Sequence, residues 1–143
     1  MLLTGSPQID ADRAFAHACH ARVRARVMAW LRRRRSSSGL RVFRVRRASS
    51  EGFPAAPVIR EIPIDAIVGT LEPSRARLFD RCFRPARACR ARWRQIWLAE
   101  HRGVQLPPIS VVRVRGGYAV RDGHHRVSVA RAREAATIDA VVE

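Results

Sequence analysis

Asp122-Gly123-His124-His125-Arg126 brings a carboxylate, two imidazoles and a guanidinium together around one glycine. The pentapeptide follows a β-branched run and opens a segment of helical spacing, from about His124 to Arg133, with Val127 and Val129 or Ala130 on its inner face. The first backbone N–H groups of a helix have no intrahelical acceptor, and the helix dipole is positive there. A glycine in the preceding turn lets an anion approach that backbone closely. Arg126 adds a planar donor that can make two parallel bonds to phosphate oxygens. Asp122 reads as a ligand for a divalent cation such as Mg, or as the group that orients His125. The chemistry this implies is capture of a phosphate-bearing ligand by Gly123, His125 and Arg126, with Asp122 and His124 as candidate catalytic groups. A plainer reading stands beside it: Asp-Gly is an ordinary turn, Asp122 a helix cap, and His124 a solvent-facing side chain.

The elements that must position this turn are legible around it. Ile109 to Val114, the glycines at 116 and 117, and Tyr118 to Val120 read as a tight hairpin leading into the pentapeptide. Thr137 to Val142 reads as a closing strand and Val58 to Ile64 as an opening one, its end placed at a sheet edge by Pro63. Residues 77 to 102 read as two helical pieces, because Pro85 starts a helix more readily than it continues one. Cys89, Trp93, Ile96 and Trp97 form the buried face of the second piece, and Gly103 stops it. The resulting order is strand, helix, helix, hairpin, helix, strand.

Upstream, Phe15, Cys19, Val23, Val27, Trp30 and Leu31 recur at steps of three and four and predict a helix over Asp10–Arg35. Arg32, Arg33, Arg34 and Arg35 at its end are candidate nucleic-acid contacts, or simply a solvated basic face. Leu40, Val42, Phe43 and Val45 read as a short apolar patch within linker. A boundary near residue 55 separates an Arg-rich extension, residues 1–55, from a domain over residues 56–143.

The formal net charge of +16 implies an anionic partner such as nucleic acid or a nucleotide. All of the basic side chains are Arg and none is Lys, which fits either planar phosphate recognition or a GC-biased coding sequence. Cys19, Cys82 and Cys89 are odd in number and form no C-x-x-C pair, which argues against a disulfide framework or a zinc ribbon and fits a reducing cytoplasm. His17 and His20 are the one ligand-like pair of the first helix, too few to imply a metal. No stretch approaches the ~20 apolar residues that cross a bilayer. Met1 to Pro7 lacks the pattern of a signal peptide.

EIPIDAIVGTLEPSRARLFD and EHRGVQLPPISVVRVRGGYAVRDGHHRVSVARAREAATIDAVVE together resemble the ParB N-terminal domain, also called the ParB-like nuclease domain, and its relative sulfiredoxin, across residues 58–143. Pro73-Ser74-Arg75 approximates the family's Pro-x-Arg loop, Pro108 to Val111 its Pro-Ile-x-Val strand, and Gly123 to Arg126 its Gly-x-x-Arg turn. The resemblance implies an α+β fold, a small mixed sheet with packed helices, here preceded by the Arg-rich helix. It also implies a nucleotide, CTP or ATP/ADP, on Gly123, His125, Arg126 and, less directly, Arg75; the Mg expected at Asp122 would accompany it. His124 stands where sulfiredoxins carry their catalytic Cys, so thiol-based reductase chemistry is not implied. No cluster of carboxylates supports two-metal nuclease chemistry. Partition proteins of this family carry a helix-turn-helix after the domain, where this sequence stops at Glu143, so centromere recognition of their kind is not expected.

The function expected is a cytoplasmic nucleotide-binding regulator that meets DNA through sequence-independent phosphate contacts, with a homodimer as an open arrangement. The alternatives are a small-molecule phosphotransferase akin to ParB-like free serine kinases, with Asp122, His124 or Glu72 as base, and a catalytically silent adaptor whose Phe15 to Leu31 stripe meets a partner.

Overall fold

Glycines at 116 and 117, both at positive φ (93° and 152°), turn Ile109–Val114 (β3) back onto Gly117–Asp122 (β4) as an antiparallel pair. In this computed structural model, which describes residues 3–32, 39–45 and 56–143, the hairpin lies at the middle of a five-stranded mixed sheet. Val58–Pro63 (β1) runs antiparallel to Thr137–Val142 (β5), and β5 runs parallel to β3. On the other side β4 pairs in parallel with Ile67–Thr70 (β2), giving the order β1-β5-β3-β4-β2. Pro63 closes the edge strand β1 as expected, and a single 3-10 turn, Ile64–Ala66, links it to β2. The fold class is α+β, the one the sequence implies.

The helices stack outward from the sheet. His124–Ala132 (α3) packs on β3, Arg90–His101 (α2) on α3, and Pro7–Leu31 (α1) on α2. Trp93 of α2 joins the layers: it is fully buried, its indole N–H donates to Ser128 Oγ at 2.9 Å, and its ring meets Phe15 edge-on at 5.5 Å. Asp12 of α1 ties the same helix from outside, 3.0 Å from Arg90 and 2.8 Å from Arg94. Ala11, Phe15, Ala18 and Leu40 therefore belong to the core shared with residues 56–143.

Three sequence expectations change. The first helical piece expected within 77–86 is a loop: Asp80 Oδ1 accepts from the N–H groups of Cys82 and Arg84, both at 2.9 Å, Phe83 turns at φ 58°, and Phe79 bridges Pro85. A side chain that caps its own turn competes with the helix ladder, and here it wins. The patch at 40–45 is an extra edge to the sheet, since Phe43 N–H donates to Thr70 O and Thr70 N–H to Arg41 O. Gly69 permits this approach, because a Cβ there would lie 2.3 Å from Arg41 O. The strand β2 itself was not anticipated. The α1 helix starts earlier than expected and ends at Leu31, with Arg32 as its cap; Arg33, Arg34 and Arg35, and the boundary near 55, lie outside the described residues. Among the described residues no helix is long and apolar enough to cross a membrane.

Candidate anion-binding cleft

Gly123 sets the geometry of the pentapeptide. It holds φ 106° and ψ 22° as the residue before α3, and a Cβ on it would fall 2.4 Å from Ile109 Cγ2. Only glycine satisfies both the left-handed backbone and the close approach. The first N–H to close an intrahelical bond is Val127, to Gly123 O, so the amides of His124, His125 and Arg126 lack intrahelical acceptors, and among the described residues no side chain caps the helix.

These amides open onto a cleft of about 330 Å³ lined by the turn, by Glu72, Ser74 and Arg75 from the loop after β2, by Arg92 and Ile96 of α2, and by Arg121. Four guanidinium groups, on Arg75, Arg92, Arg121 and Arg126, thus share a wall with only two carboxylates, Glu72 and Asp122. The structure brings together every pentapeptide residue singled out in the sequence, and Arg75 with them. Arg92 and Arg121 were missed; among 28 basic residues nothing in the sequence marks these two. Arg32 caps the C-terminal end of α1 and is not among the residues lining this cleft.

The two histidines have different surroundings. His124 is buried at 4% exposure, its ring stacked near Phe79 at 6.3 Å and its Nε2 2.6 Å from Thr70 Oγ1. Burial, then the positive charges of Arg75 and His125, push its pKa down to about 4 against the pull of Asp122. It is a neutral, hydrogen-bonded core residue at the back of the cleft, not the solvent-facing side chain of the plainer reading. His125 is half-buried, edge-on to Phe79, and also held down to about 4 by burial, then by Arg75 and Arg92. An anion placed among these groups would offset the arginine charges and raise the His125 value again.

Arg126 carries a structural role as well as a place on the wall. Its Nη1 donates to the carbonyls of Pro107 and of Pro108, the latter at 2.9 Å, and its Nη2 to Asp122 Oδ2 at 2.7 Å. Asp122 is 79% exposed but has one oxygen engaged in that ion pair. No group of three or more His, Cys, Asp or Glu side chains converges to hold a metal among the described residues. A Mg ion beside Asp122 would need most of its oxygens from water and from the ligand itself, so the residues present make no cation cage of their own.

No family model and no curated protein matches this chain. Among solved structures the chain is similar to the sulfiredoxin of Arabidopsis thaliana, at 23% identity and a TM-score of 0.43, over 61% of this chain and 85% of that one.

Proposed function

We propose that this protein binds a phosphate-bearing ligand in the cleft at the start of α3. The observation that carries the reading is the convergence of uncapped helix amides with Arg75, Arg92, Arg121 and Arg126 on one small polar cavity. Unpaired amides and the helix dipole favour anions at this point, and guanidinium groups supply directional, charge-assisted bonds to phosphate oxygens. Ile96 is the one apolar wall, so charge recognition outweighs burial of a base. Within this reading the ligand is a nucleotide, CTP or ATP/ADP, as the sequence resemblance to ParB-like domains implies, with the polyphosphate against the arginines.

The test is thermal shift with CTP, ATP, ADP, GTP and inorganic tripolyphosphate, each with and without magnesium, on wild type and on Arg75→Ala/Arg92→Ala. Both side chains are exposed, so the double variant should keep its fold. A ligand that binds only the native state raises the melting temperature. Stabilisation lost in the variant supports the cleft; a nucleotide preferred over tripolyphosphate supports base recognition; no response to any of the five ends the reading.

A phosphotransferase is the second reading, and Glu72 is what favours it. Of the bases available, Asp122 is paired to Arg126 and His124 is locked on Thr70, whereas the Glu72 carboxylate lines the cleft, exposed and without an ion pair among the described residues. Turnover of ATP with free serine, lost in Glu72→Gln with binding retained, is the result this reading requires.

A further inference from the structure

The C-terminal half of α1 leaves the body of the protein with its apolar residues uncovered: Val23, Val27 and Trp30 are 56%, 49% and 76% exposed. They sit at helical steps of four and three, on one stripe adjoining the docked face that carries Phe15 and Ala18. The stripe runs into a shallow groove of about 940 Å³ between α1 and residues 85–90. Its floor is Phe15, Cys19 and Val23 from one side and Pro85 and Ala86 from the other. Its rims carry Arg26 on α1 and Arg87 opposite, flanked by Arg22, whose guanidinium donates to Arg77 O, and by Arg90, which pairs with Asp12. The single carboxylate on the lining, Asp12, already pairs with Arg90 and Arg94.

We propose that this groove docks an acidic amphipathic helix of a partner protein. An apolar floor between two cationic rims is complementary to a helix with aliphatic residues on one face and Glu or Asp beside it. Exposed Trp and Arg are residue types enriched in protein interfaces. Nucleic acid would satisfy the arginines but leave Val23 and Val27 with little to cover them. A second copy would set cationic rim against cationic rim in a chain of net charge +16. The chain's own segments at 33–38 and 46–55 hold five Arg against one Glu and offer the groove the wrong charge.

The groove lies apart from the cleft at α3, so the two assignments are tested separately. Displayed random 16-residue peptides are selected on the full chain, with counter-selection on Val23→Glu/Val27→Glu, whose sites are exposed enough to spare the fold; Arg26→Glu serves as an independent second variant. The expected pool is acidic with apolar residues at i, i+3, i+4 and i+7. A fluorescent peptide from it should bind about tenfold or more weakly to either variant and equally well to Arg75→Ala/Arg92→Ala. A pool without acidic character or helical period, binding unchanged in both groove variants, displacement of the peptide by a 30-base-pair duplex at lower concentration than by unlabelled peptide, or a wild-type dimer that Val23→Glu/Val27→Glu dissolves would each overturn the proposal.

Discussion

His124 shows how one residue type takes two roles in adjacent positions. Both His124 and His125 line the cleft and meet Phe79, but His124 is buried with its Nε2 bonded to Thr70, while His125 is half-buried with no such partner among the described residues. Both imidazoles titrate near 4 in the folded chain instead of at the ordinary 6.5. The unfolded chain therefore takes up protons between those values that the folded one refuses, so stability is complete above the upper value and is lost as pH falls toward the lower. For His124 the gap is worth on the order of 3 kcal/mol, and less for the more exposed His125. Urea denaturation at about pH 7.5 and 4.5 should show the wild type much weaker in acid, and His124→Gln, which keeps an amide toward Thr70, should lose a large part of that difference. An identical pH dependence in the variant would place the titration elsewhere. Arg126 makes a second residue-scale case. Because its guanidinium joins α3 to the carbonyls of Pro107 and Pro108, Arg126→Ala should cost about 2–3 kcal/mol before any ligand is added. Lys should recover little of this, since a single ammonium cannot reproduce the fork. A variant as stable as wild type would leave Arg126 to the ligand alone.

At the scale of elements, the sequence disclosed what is local. The hairpin announces itself through two glycines between β-branched runs, and α3 and β5 follow at the expected positions because their periodicity and boundaries are written within each segment. What escaped depends on partners distant in the chain. The strand β2 is four residues long and becomes a strand only by pairing with β4, some fifty residues later. Leu40 to Val45 resembles linker until Gly69 lets Phe43 and Arg41 close on β2. The cleft divides in the same way: the turn and the charge of its residues were legible, while Arg92 and Arg121 reach it only through the packing of α2 and the course of β4. The α1 stripe was legible as a stripe, but not that its first half is core and its second half uncovered. That division can be measured. Phe15→Ala removes a ring packed edge-on against Trp93 and should cost about 3–5 kcal/mol, whereas Trp30→Ala should stay within about 0.5 kcal/mol. Equal, small effects from both would mean that α1 is an appendage, loosely held.

Across the whole molecule the governing quantity is a net charge of +16 carried by 143 residues. Like charges at this density repel in the compact state and are relieved by salt, with a screening length of about 10 Å at 0.1 M. The melting temperature should therefore climb as sodium chloride is raised from about 0.02 to 0.3 M. That rise belongs to the entire surface and says nothing of a site. A site adds a second, distinguishable increment. Sulfate at low millimolar concentration and matched ionic strength should stabilise beyond chloride, because a tetrahedral dianion can take several directed bonds at the start of α3 while chloride screens only. Arg75→Ala/Arg92→Ala removes two charges from the cleft wall and leaves the other arginines in place. The variant should keep the rise with chloride and lose the excess with sulfate. If the excess survives, the anion is held by the general basic surface; if both effects vanish together, two of many arginines control the whole electrostatic strain, which their exposed positions make hard to reconcile with Coulomb repulsion summed over the chain.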